Sequence, residues 1–206
     1  MRKGFTLVET AIVLVIIGII VAGAIKTVTM VDNARAKRIL SQVVVLVDAQ
    51  NQYYERTFRY AGDTNNDGGI DYTTLNASYA TFNNTGSGIH TAFNELIQLG
   101  ILNDESDATL ATGGPAYYAR YNNANNVPIN IVVVRDVPCL TAFQMEINLD
   151  KNQPSDANGI GSGRVRWFST NAANSIVTAT GAWTAGNICG NGTGNTNVMY
   201  LFDRLQ

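Results

Sequence analysis

MRKGFTLVETAIVLVIIGIIVAGAIK, residues 1–26, decides how the rest of the chain is read. Two cationic side chains, Arg2 and Lys3, stand before Gly4, and an apolar run follows from Phe5 to Ile25 whose one charge is Glu9. As a helix rising 1.5 Å per residue, that run reaches about 32 Å, enough to cross a bilayer core. No proline occurs before Pro115, and after Gly23 the next glycine is Gly62. The expectation is one helix over 5–57 that begins in an apolar medium (5–25) and continues into water.

The continuation keeps helical periodicity. Val28, Val31, Ile39, Val43, Leu46, Gln50 and Tyr53 recur at intervals of three and four, apart from one wider gap near Arg35, with Asp32, Asn33, Arg35, Lys37, Arg38, Gln42 and Asp48 between them. That pattern gives an amphipathic helix with one packing face. Val43–Val47 is apolar all round, so one side is expected to face the chain's own globular part and the other a partner. Its valine content also admits a strand, but Ala34–Leu40 and Gln50–Tyr54 on either side read as helix.

Glu9 is costly where it stands. A carboxylate near the start of a membrane span costs about 2.5–3.5 kcal/mol on insertion scales. A cut after Gly4 would create an amine on Phe5, one turn from Glu9 or opposite Glu9 of a neighbouring helix. The plainer alternative leaves Glu9 at headgroup level with no further role.

Lys3-Gly4-Phe5-Thr6-Leu7-Val8-Glu9, followed by Ala11 to Ile20, resembles the class III signal segment of type IV pilins and type II secretion pseudopilins. The resemblance implies a leader of residues 1–4, removed by a prepilin peptidase that cuts between Gly4 and Phe5 and N-methylates Phe5. It implies that Glu9 pairs with the amine of an adjacent subunit during assembly. The implied partners are copies of the same chain, the peptidase, an inner-membrane assembly platform and, before assembly, the membrane. The implied location is the inner membrane as precursor, then an extracellular filament or a periplasmic pseudopilus. The likeness is strong over the first 50 to 55 residues and looser beyond. Phe58-Arg59-Tyr60-Ala61-Gly62-Asp63 is similar to a turn that follows the long helix in pilin-like proteins, though without its proline. Ala92–Gly100 and Met145–Arg166 are also similar to such proteins. Many pilins carry a proline in the membrane segment, and this chain has only Gly18 and Gly23 there to loosen the helix.

The chain has 206 residues, 14 basic against 16 acidic, and 15% charged residues. The segment 58–206 is long enough for one head domain with its own core. No basic patch argues for nucleic acid. Cys139 and Cys189 form an even pair in a chain that leaves the cytoplasm, which fits one disulfide. Two buried thiols are the alternative. Many pilins carry a disulfide toward the C-terminus, so the resemblance adds to the first reading. An ordinary secretory peptide cut at Ala22-Gly23-Ala24 is disfavoured by Thr6, Glu9 and Thr10 at the head of the apolar run.

Asp63-Thr64-Asn65-Asn66-Asp67-Gly68-Gly69-Ile70-Asp71 has the spacing of the first half of a calcium loop, with Asp63, Asn65, Asp67 and Asp71 as ligands and Gly68 at the bend. Position twelve is Thr74 rather than a bidentate acid, and Asp, Asn and Gly also build an ordinary turn.

Further on, His90–Leu99 reads as a short amphipathic helix capped by Gly100. Ala116–Tyr121 and Ile129–Val134 read as a hairpin. A helix is expected from Asp136 and Pro138 through Leu149, and strands at Arg164–Thr170, Ser175–Thr180 and Val198–Phe202. The fold class is α+β: a long N-terminal helix packed on a small antiparallel β-sheet domain of pilin-like type. No histidine is placed to couple a serine with an acid, so the chain is expected not to be an enzyme. The expected function is a structural subunit of a type IV pilus-like filament. The alternatives are a minor pilin or secretion pseudopilin, and, in another class, an anchored or secreted binding module using loops near Trp167 and Trp183.

Overall fold

A computed structural model describes residues 7–72, 91–104, 110, 116–122, 127–151, 163–167 and 194–203, and the backbone alone at 24–29, 32, 121, 122 and 167. The elements are α1 (Leu7–Thr57), α2 (Thr91–Gln98), β1 (Ala116–Asn122), β2 (Pro128–Pro138), α3 (Cys139–Met145), a π-helical turn (Glu146–Asp150), β3 (Val165–Trp167) and β4 (Asn195–Leu201). The chain divides into two compact units, residues 1–34 and 35–206.

The first unit is described from Leu7 onward and is helical throughout. Thr10 Oγ1 donates to the Leu7 carbonyl at 2.9 Å, and every described side chain from Leu7 to Gly23 is exposed. Among the described residues no helix is long and apolar enough to cross a membrane. The side chains described in the apolar run end at Gly23, about 24 Å from Leu7 and short of a bilayer core of about 30 Å. The expected 5–25 span therefore begins before the described residues and ends where the backbone alone is described.

The second unit begins inside α1. Ala36, Ile39, Leu40, Val43, Leu46, Ala49, Gln50 and Tyr53 are buried at helical spacing, while Val44 and Val45 stay exposed. The apolar-all-round block is thus a helix with one covered side. Val31 departs from the expected face, being 44% exposed, and the buried stripe starts at Ala36. Phe58 stops the helix in the left-handed region, φ 58°, its N–H bonding the Tyr54 carbonyl at 2.8 Å.

The sheet is antiparallel in the order β1-β2-β4-β3. β1 and β2 form the expected hairpin, with Tyr118 opposite Val132. Residues 129–134 of β2 are all buried, as a central strand covered on both faces requires. Tyr118 joins the sheet to α1: its hydroxyl donates to the Leu46 carbonyl at 2.7 Å and its ring lies 4.9 Å from that of Phe93 on α2. The neighbouring Tyr117, on the opposite face, meets the Tyr72 ring edge-on at 5.9 Å.

Two expected elements change form. The helix from Asp136 does not start there: β2 runs on to Pro138 through a register shift between Val134 and Val137, with Asp136 at φ 59° inside it. A bulge needs one residue off the ladder, and a short aspartate tolerates that backbone. The helix then starts at Cys139 and passes into the wider π turn at Glu146. Asp150 ends that turn by accepting the N–H groups of Arg164 (2.8 Å) and Val165 (2.9 Å), which fixes β3. Gly163, φ 76°, must be glycine because an added Cβ would fall 2.0 Å from the Asp150 carboxylate. The segments His90, Ser175–Thr180 and Trp183 lie outside the described residues.

Candidate functional site

Eleven large apolar side chains stand exposed on α1 between Leu7 and Val21, from 50% at Ile17 to 85% at Leu7. Exposed apolar side chains are ordinary singly, but a continuous sleeve around a helix marks a surface meant for lipid or protein. Glu9 sits exposed in the first turn of α1, the one acid there. It shares that turn with Leu7 and Val8, so whatever covers the sleeve must also deal with a carboxylate. Gly4 and Phe5 lie outside the described residues.

The loop after α1 was the other candidate. All four side chains of the calcium spacing engage donors from the chain itself. Asp63, 1% exposed, accepts the N–H groups of Asp67 (3.2 Å) and Gly68 (3.0 Å). Asn65 Oδ1 accepts the Asp67 N–H at 2.9 Å. Asp67 Oδ1 accepts the Gly69 N–H at 2.8 Å, and its Oδ2 takes Arg120 Nη1 at 2.8 Å and Asn65 Nδ2 at 3.1 Å. Asp71 Oδ2 accepts the Thr64 N–H at 2.8 Å and the Thr64 hydroxyl. Gly68, at φ 86°, makes the bend that the spacing calls for. Gly69 leaves room for the arginine: an added Cβ would lie 2.5 Å from Arg120 Cδ. Among the described residues no three His, Cys, Asp or Glu converge as metal ligands. The oxygens instead accept the loop's own N–H groups as Asx turns, and the Arg120 guanidinium takes the outer oxygen of Asp67.

Two outcomes follow from that geometry. A bound ion at a hundredfold excess over its Kd would stabilise the head by about 2.7 kcal/mol. Chelator and excess Ca²⁺ are therefore expected to give the same melting temperature, read by circular dichroism. The second concerns acid. The Gly69 N–H and then Arg120 hold the Asp67 carboxyl below its usual pKa. A depressed carboxyl stabilises the fold at pH above its unfolded value, about 3.9, and that contribution is lost as pH falls through the lower folded value. Asp67→Asn is expected to lower the neutral plateau slightly and to flatten the acid limb of stability by the same small amount, since Asp67 is 43% exposed.

Beside this loop, α1 is clasped to the head by groups the sequence did not advertise. Arg59 grips Glu95 of α2 through two bonds, 2.9 and 3.0 Å, and Glu95 also accepts the Gly62 N–H at 2.9 Å. The Arg59 guanidinium lies 5.3 Å from the Tyr53 ring centre. Burial and the adjacent Glu95 carboxylate push the Tyr53 phenol above its ordinary pKa, while the Glu95 bond raises that of Arg59. Gln50, fully buried, accepts the Ala61 N–H at 3.0 Å and donates to the Ala61 carbonyl at 3.3 Å.

Asn130 is the other hidden organiser. Its Oδ1 accepts the Ile70 N–H at 2.8 Å, and its Nδ2 donates to the Gly68 carbonyl at 2.9 Å and to Asp203 at 2.7 Å. It ties the loop, β2 and the C-terminal end of β4 together. The one signal in the sequence is an asparagine within Ile129–Val134. Cys139 is buried at the start of α3, no described cysteine is free, and Cys189 lies outside the described residues.

These arrangements are structural, and the exposed sleeve is the feature that calls for a partner. Residues 1–25 match the family model of the prokaryotic N-terminal methylation motif. No curated protein and no solved structure matches the chain.

Proposed function

Because residues 1–25 carry the prokaryotic N-terminal methylation motif, the class III signal that is a hallmark of type IV pilins and pseudopilins, we propose that this chain is a structural subunit of a type IV pilus-like filament. The observation that carries the reading is the exposed apolar sleeve of α1 lying inside the matched segment. On this reading residues 1–4 are a leader and prepilin peptidase cuts between Gly4 and Phe5, methylating the new amine. Residues 5–25 hold the precursor in the inner membrane, and 5–57 form the long helix. The head, 58–206, is carried outside the membrane. Extraction exchanges lipid for neighbouring helices, and burial of the apolar sleeve between copies drives assembly. The amine of one copy pairs with Glu9 of another, because an unpaired carboxylate in that dry core costs several kcal/mol. A Cys139–Cys189 disulfide closes the C-terminal part of the head. In the chain-entropy model a loop that long contributes roughly 4 kcal/mol. The subunit needs no catalytic group; its chemistry is polymerisation.

The test is the intact mass of protein sheared from the cell surface. A chain beginning at N-methylated Phe5, and two hydrogens lighter for the disulfide, is the expected result. A chain beginning near Ile25 would make this a secreted soluble domain and overturn the filament reading.

A further inference from the structure

Phe58 combines two features that each cost stability. Its side chain is 83% exposed, and its backbone sits at φ 58°. The left-handed region disfavours a residue with a Cβ, and the position after a helix end is one that glycine commonly takes. Elsewhere the chain does place glycine on such backbones, at Gly62, Gly68, Gly100, Gly163 and Gly194. The other side chains held at positive φ belong to Asn66, Asp136 and Lys151, all polar, so Phe58 is the one aromatic ring so held among the described residues. The turn that carries it is fixed on both sides. The Thr57 hydroxyl lies 2.9 Å from the Tyr53 carbonyl and 3.1 Å from that of Arg59, and Arg59 is fastened to Glu95. One helical turn before Phe58 stands Tyr54, 43% exposed, with its ring 4.9 Å from that of the half-buried Tyr60.

We infer that Phe58 is a stacking platform for the pyranose ring of a carbohydrate, with Tyr54 on the preceding turn supplying a hydroxyl. A strained backbone under an exposed aromatic side chain points to a use for that side chain outside the fold. Phe58 and Tyr54 together expose about 250–300 Å² of ring surface, well below the about 800 Å² that each partner of a stable protein complex buries. That area suits a small ligand. A ring 83% exposed lines no groove, which sets aside the cleft a proline-rich segment needs. A quaternary ammonium needs rings on several sides, whereas Tyr54 and Tyr60 lie against each other with 34° between their planes. A pyranose needs one open ring face. Its axial C–H groups carry slight positive charge and meet the negative face of the phenyl ring, while its hydroxyls take polar groups at the margin. Such binding needs a single head and does not depend on the filament reading.

Saturation-transfer NMR on the full-length chain, in micelles of a detergent without a sugar headgroup, tests this with cellohexaose and maltohexaose as probes. Transfer to the axial C–H protons of a probe is expected, with a Kd of about 1 mM. Phe58→Gly separates binding from folding. Glycine relieves the backbone, so the melting temperature is expected to hold or to rise by about 2 °C, while affinity falls at least about tenfold. Phe58→Trp keeps an aromatic face and is expected to keep the binding. No transfer to either probe, transfer undiminished in Phe58→Gly, or binding lost in Phe58→Trp would overturn the platform. A melting temperature that falls in Phe58→Gly would overturn it too, by showing that the ring serves the fold. Binding of tetramethylammonium in place of the sugars would overturn it and assign the rings to a cation.

Discussion

Asn130→Leu is expected to cost the head about 4 kcal/mol, a large part of the 5–15 kcal/mol that holds a domain together. The side chain is fully buried in the central strand and serves three partners at once: the Ile70 N–H, the Gly68 carbonyl and the Asp203 carboxylate. Leucine occupies similar space, so the packing loss is small. What it leaves behind is a buried N–H and a carbonyl without partners, each costing about 1–3 kcal/mol, and a carboxylate stripped of a 2.7 Å bond. The Asp203 carboxylate keeps the Asn130 backbone N–H at 3.1 Å, which limits the damage at that end. The loss should appear as a fall in melting temperature on the order of 10 °C. Because Asn130 fastens the loop at 68–70 to β2, exchange of the Ile70 amide should quicken more than that of the β1–β2 ladder. Melting within a degree or two of the parent would show that water replaces the asparagine without loss.

Glu9→Ala is expected to leave membrane insertion intact and to lower filament yield by at least about tenfold, counted in sheared fractions against precursor in the membrane. The two halves of that outcome have different causes. Insertion follows apolarity, and removing a carboxylate from the first turn of the apolar run makes it easier. Assembly would bury the amine of Phe5 between helices, where a charge without its partner costs several kcal/mol. Glu9→Gln keeps the shape and loses the charge, so it should fall close to alanine. Normal yield from either variant would sink the pairing and return Glu9 to the role of a headgroup-level acid.

The α1 helix was legible because its evidence is local. An apolar run, a following stripe at intervals of three and four, and no proline before Pro115 specify a helix wherever the rest of the chain goes. The same holds for α2, whose Gly100 cap sits at φ 66°, and for the β1–β2 hairpin. Strand and helix boundaries at 136–139 were less legible, because the bulge at Asp136 depends on pairing with β4, some 60 residues away.

The candidate sites divide along the same line. The apolar run that forms the exposed sleeve could be read directly, since apolarity is a property of each residue in turn. The loop 63–71 could not, because its spacing fits both a cation and an Asx stack. Arg120, 53 residues from Asp67, places its guanidinium on the outer oxygen, a partner that no spacing within the loop announces. By itself, then, the sequence determined the elements and the segment that needs a partner, through periodicity and burial cost that act over a few residues. Only the tertiary structure decided that β4 lies between β2 and β3, that Glu95 closes on Arg59, and that Asn130 joins the loop to Asp203. Those choices rest on hydrogen bonds between groups 31 to 73 positions apart, whose geometry no local pattern encodes.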